Sequence, residues 1–120
     1  MKWIDLSLGE KTFGDIKTAR SMLDMFIESL PAAEKQLREH YQTQNWRQLH
    51  DQVHSFHGAC CYASSPILLA SVKQLNASLQ IITQATTDYS DDIHKSIGDQ
   101  VNLVIDHIQH TSAYYKDNFS

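Results

Sequence analysis

Four glycines and two prolines are all the strong chain-breakers in 120 residues, and this scarcity constrains the fold more than any other feature. A β-sandwich or small barrel needs a tight turn every ten residues or so, and Gly and Pro make most such turns. Long helices need breakers only at their ends. The length suits a single domain over residues 1–120, able to bury about 65% of the surface its unfolded chain exposes. Neither an internal repeat nor a low-complexity tract or linker divides it.

Helical periodicity fills the space between the breakers. Trp3 to Lys11 is expected to form a short leading helix. From Asp15, the positions Ile16, Ala19, Leu23, Phe26, Ile27, Leu30, Ala33, Leu37 and Tyr41 recur every three or four residues, with Pro31 expected to kink or interrupt that helix. Asn45 can cap the next stripe, Trp46, Leu49, Val53, Phe56 and Cys60. In Ser64-Ser65-Pro66 a stop precedes a start, with serine at the N-cap and proline at the first helical position. Leu68, Val72, Leu75, Leu79 and Ile82 follow, and Thr83 to Tyr89 reads as a loop. Ser90 can cap a last helix with Asp91 and Asp92 in its first turn and the stripe Ile93, Ile97, Val101, Val104 and Ile108. The expected class is all-α: an antiparallel up-down-up-down four-helix bundle with a short leading N-terminal helix.

A net charge of −4 argues against nucleic acid as the partner, since phosphate backbones require a basic face. Adjacent Cys60 and Cys61 cannot join distant segments, which suggests a reducing, cytoplasmic setting. No apolar run approaches the ~18 residues of a membrane span, and the N-terminus lacks a signal peptide's apolar stretch. Direct membrane contact is therefore not expected, and a monomer is.

Seven histidines are the unusual count, and three of them share one helix. On a wheel of 100° per residue, the stripe from Trp46 to Cys60 stays within about 60°. His54 falls about 120° from its centre, facing solvent, and His57 about 60° away, at the border of the core. His50 and Cys61 share the side of His54, with Gly58 one turn beyond it. An exposed mid-helix glycine loses about 1 kcal/mol against alanine, so its presence suggests that another molecule comes close there.

Three readings of this stretch compete. The histidines are solvated surface; or His50, His54, His57 and Cys61, at i, i+4, i+7 and i+11, hold a metal; or one imidazole is an exposed nucleophile or phosphate carrier. Four ligands on one straight helix converge poorly into a tetrahedron. The inward Glu-x-x-His pairs of a di-iron bundle are missing, as are a phosphate loop and a serine or cysteine triad.

The segment His54-Ser55-Phe56-His57-Gly58-Ala59-Cys60-Cys61-Tyr62 resembles the signature of histidine-containing phosphotransfer (HPt) domains: His, any residue, Leu or Phe, Lys or sometimes His, Gly, then small residues. With Ala19-Arg20-Ser21-Met22-Leu23, Leu30-Pro31 and Ser65-Pro66 around it, nearly the whole chain is similar to the C-terminal HPt domain of BarA-like tripartite hybrid sensor kinases. That resemblance implies a phosphorelay intermediate in bacterial two-component signalling, taking a phosphoryl group from a receiver aspartate and passing it to a response-regulator receiver. It makes His54 the phosphoacceptor and places His57 where a lysine usually neutralises the phosphoryl oxygens. Gly58 becomes the residue that admits the receiver, and Asn76 falls where Gln or Glu often touches the imidazole.

Arg47, His50, Cys61 and Lys73 are candidate receiver contacts. The domain would be a phosphocarrier with no cofactor or ATP site of its own, with Mg²⁺ expected on the partner receiver. Two departures stand out: His57 makes the local charge pH-dependent, and Ser64 replaces the glycine many members have in the turn after the active helix. A non-catalytic helical interaction module is the competing class, beside the surface-histidine metal site.

The remaining positions read as structural. Met22 and Met25 are assigned to the core, and Cys60 to an inert buried position beside an accessible Cys61. His107 and His110 are expected near the last helix's C-terminus, where cations suit the dipole, and His40 and His94 on the surface.

Overall fold

A computed structural model describes residues 2–84 and 91–119. Five helices make up the described chain, with no strand among the described residues: α1 (Leu6–Phe13), α2 (Ile16–Gln42), α3 (Trp46–Cys60), α4 (Pro66–Gln84) and α5 (Asp91–Phe119). α2 packs on α3, α3 on α4, α4 on α5 and α5 back on α2, closing a ring; α1 lies against α2. This is the expected helical bundle with a short leading helix.

Short polar side chains set the helix starts. Asp5 Oδ1 accepts the Ser7 N–H at 3.1 Å, Asp15 takes those of Lys17 and Thr18 at 3.2 Å, and Asn45 Oδ1 takes that of Gln48 at 3.2 Å. Each satisfies an amide that the first helical turn leaves without a partner. Gly14 ends α1 in the left-handed conformation (φ 72°), where glycine carries no steric penalty. Pro66 opens α4 as expected. Ser65, though, offers its carbonyl to Leu69 N–H at 2.9 Å and turns its hydroxyl back to Ala63 O at 3.0 Å. Ser64 has φ 57°, a left-handed turn position that favours glycine, and Asp5 N–H bonds its carbonyl at 2.8 Å.

Leu30, Leu37, Leu49, Val53, Leu68, Val72, Leu75, Leu79, Val101 and Val104 form the centre of a shared core. That core overrides two local signals. α2 runs unbroken through Pro31: the proline removes one amide donor, while Leu30 and Leu37 hold both flanking turns in the core. α4 continues through Thr83 and Gln84, which were expected in a loop, because Ile82 is buried and the Thr83 hydroxyl bonds back to Leu79 O at 2.9 Å. The rest of that expected loop and the Ser90 cap lie outside the described residues.

Met25 is 65% exposed rather than core, since it sits one residue, or 100°, from the inward Phe26. Ile16 and Ile93, read as stripe positions, are exposed at helix starts. α1 begins at Leu6, behind its Asp5 cap, and Trp3 packs instead on α5. Its ring stacks on His110 at 4.9 Å and meets His107 edge-on at 5.3 Å. α5 runs on to Phe119, so these histidines lie in its interior and Lys116 is the basic residue of its last turn.

His107 links α5 to α4. The Ser71 hydroxyl donates to Leu68 O at 3.1 Å, so it accepts from His107 Nδ1–H at 2.9 Å. Burial holds the His107 pKa below the ordinary imidazole value, opposed by Asp106 and assisted by His110. The unfolded chain therefore protonates this ring more readily than the folded one. His107 contributes stability above an ordinary imidazole pKa of about 6.5, and loses it as pH falls through the lowered folded value. Denaturant unfolding at pH 7.5 and 5 should show His107→Gln losing less stability on acidification than the parent chain.

Candidate functional site

The apolar side of α3 determines what its polar side presents. Leu49, Val53, Phe56 and Cys60 are buried, and Phe56 stacks on Phe26 of α2 with ring centroids 5.7 Å apart. Burial pushes the Cys60 thiol far up, leaving it inert. With that side fixed, His54 and Gly58 are exposed, and His50 and His57 are half-buried at the edges of the polar face. Arg47, Cys61 and Lys73 are exposed.

α4 supplies the facing wall. A groove of about 430 Å³ between the two helices is lined by His50, Asp51, His54 and Ser55 of α3 and by Asn76, Gln80 and Gln84 of α4. Asn76 is half-buried, and its Oδ1 is fully buried with no hydrogen-bond partner among the described residues. A buried acceptor without a donor costs about 1–3 kcal/mol; His54 shares the groove but makes no hydrogen bond to this oxygen. Beside it, Trp46, Arg47, His50, Asp51 and Thr83 line a second cleft.

The fold thus brings His50, His54 and Asn76 into one groove and sets Arg47 next to it. His57, Gly58, Cys61 and Lys73 line neither cleft. Gln80, Gln84 and Thr83 were missed from sequence. A signal existed for the first two, since 76, 80 and 84 recur every fourth residue along one helix face. His40 and His94 are half-buried rather than on the open surface, with His94 packed 5.1 Å from the Trp46 ring. Among the described residues, no three His, Cys, Asp or Glu side chains are placed to hold a metal ion, and no helix is long and apolar enough to cross a membrane.

Gly58 has open space around it. Among the described residues, a Cβ built there meets nothing within 4 Å, whereas one built at Gly9 of α1 would lie 2.8 Å from Ala19 Cβ of α2. The first glycine is not required by packing among the described residues; the second is.

A model of the Hpt domain family matches residues 21–110, from the first turns of α2 to the interior of α5. Comparison with curated proteins and with solved structures finds no match. The match takes in three-quarters of the chain and the whole of the α3–α4 groove. The chain belongs to the Hpt domain family, whose members serve phosphotransfer in two-component signalling and interact with receiver domains of kinases and response regulators.

The two glycines give opposite expectations. Gly58→Ala should raise stability by up to ~1 kcal/mol, and Gly9→Ala should lower it by about 1 kcal/mol or more through overpacking against α2. Gly58→Gln should also fold, yet accept phosphate slowly from a phosphorylated receiver. Reacting atoms must approach within ~3–3.5 Å, and one added side chain holds a docking surface further off. Thermal unfolding and transfer rates on the same preparations check all three.

Proposed function

We propose that His54 is the phosphoacceptor of a phosphorelay intermediate, taking a phosphoryl group from a receiver aspartate and passing it to a second receiver. One observation carries this reading: an exposed imidazole shares a groove with a buried Asn76 oxygen that lacks a donor. If His54 Nδ1–H donates to that oxygen, the ring's lone pair is left on Nε2, the nitrogen available to an incoming group. A neutral imidazole is a competent nucleophile.

In the transfer step the Nε2 lone pair forms the N–P bond as the bond from phosphorus to the aspartyl oxygen breaks. The carboxylate leaves with the electron pair, and the imidazole keeps its Nδ1 proton. The reverse step on a second receiver regenerates neutral His54. Charge stabilisation and Mg²⁺ belong on the receiver; this chain supplies position. His57, one turn from His54, adds charge when protonated, and Gly58 leaves room for the docking surface. Exposed Arg47, Lys73 and Cys61, with half-buried His50, are the proposed receiver contacts. Receivers of a hybrid sensor kinase and its response regulator, in the cytoplasm, are the proposed partners.

His54→Gln should keep the helical circular dichroism and lose all label from a phosphorylated receiver. Label that persists on His50 or His57 would refute the assignment. Labelled ATP and Mg²⁺ alone should leave the chain unlabelled, because it carries no phosphate-binding loop.

His57 stands where a permanent lysine charge is usual in the family, and lysine keeps its charge where an imidazole does not. The pH profile of transfer by the parent chain should therefore differ from that of His57→Lys. Superimposable profiles of the two proteins would exclude a charge role for His57.

A further inference from the structure

The surroundings of His50 are more specific than a receiver contact requires. It is half-buried, lines both clefts and lies with its ring centroid 6.3 Å from that of His54, the two planes inclined at 64°. Its Nδ1 is 3.3 Å from Thr83 Oγ1 across the α3–α4 interface.

Hydrogen-bond geometry favours one placement of the ring proton. Thr83 Oγ1 lies 2.9 Å from Leu79 O and 3.3 Å from Gln80 O. Carbonyls only accept, so the single hydroxyl proton points to them and Oγ1 offers His50 a lone pair. Nδ1 is then the donor. The neutral ring is held as the Nδ1–H tautomer, its lone pair is on Nε2, and a second proton can enter only at Nε2.

We infer that His50 is a phosphoryl-binding residue of the phosphorylated state, oriented by Thr83. Once His54 carries the phosphoryl group, His50 takes a proton from solvent at Nε2 and donates that N–H to a phosphoryl oxygen. The inference rests on His54 as phosphoacceptor and adds a second imidazole to its site. Spaced four residues before and three after His54, His50 and His57 bracket the phosphoryl group along one helix face. Among the described residues, the ionisable groups lining the two clefts with His50 are Arg47, Asp51 and His54, all on α3; α4 contributes Asn76, Gln80, Thr83 and Gln84, none of which titrates near neutral pH. A new anionic group on His54 is therefore the change that draws the second proton.

The test uses the whole ¹⁵N-labelled chain, with phosphoramidate as the phosphoryl donor so that no receiver is needed. Long-range ¹H–¹⁵N spectra of the unphosphorylated protein should show Nδ1–H at His50. That preference should vanish in Thr83→Val and return in Thr83→Ser, a pattern that mere packing would not produce. After phosphoramidate treatment, His50 should take up its second proton about one pH unit higher, a roughly tenfold gain in proton affinity. The gain should be absent in identically treated His54→Gln and reduced in Thr83→Val. An Nε2–H tautomer, or a His50 titration unmoved while ³¹P spectra show phosphate on His54, overturns this inference and leaves the relay reading standing. Failure of His54 to accept phosphate from a phosphorylated receiver, in the folded parent chain, overturns both.

Discussion

The rotation of α3 about its own axis is the constraint on which the site depends. Leu49, Val53, Phe56 and Cys60 are buried together, and each large apolar side chain taken from water contributes about 1.5–3 kcal/mol. A turn of one residue, or 100°, would expose much of this set and drive polar groups into the core. The stacking of Phe56 on Phe26 ties the rotation to α2. His54 is thus held outward by residues that take no part in its chemistry.

α4 extends the same arrangement. Leu75, Leu79 and Ile82 are buried, which turns the Asn76, Gln80 and Thr83 side of the helix toward the polar side of α3. The groove is therefore the polar seam between two helices whose apolar sides meet in the core. Its described walls are helical, so the imidazoles are placed by rigid elements.

The helical stripes were legible because burial follows the 3.6-residue period directly, and Leu23, Phe26, Leu30 and Leu37 fall where that period places them. His54 and Gly58 were legible for the complementary reason, since the wheel that turns Val53 inward turns them outward. Asn76 came from family resemblance; periodicity alone gives no cause to pair it with His54. Boundaries were less legible. Thr83 read as a loop because no stripe residue follows Ile82 before the next cap, and only the packed Ile82 shows that the last turn persists. Trp3 read as helical, but Asp5 captures the helix start and leaves the indole to stack on His110. The His50–Thr83 contact was invisible in principle, because it depends on the register between two helices, which no single-helix pattern contains.

The central claim is that His54 Nε2 carries the phosphoryl group. Its most direct test is to incubate the chain with a phosphorylated receiver and map the product by fragmentation at alkaline pH, where phosphohistidine survives. The account predicts one acid-labile phosphate, on His54, with ¹⁵N–³¹P coupling at Nε2. Phosphate on His50, His57 or a carboxylate, or on Nδ1 of His54, would contradict it.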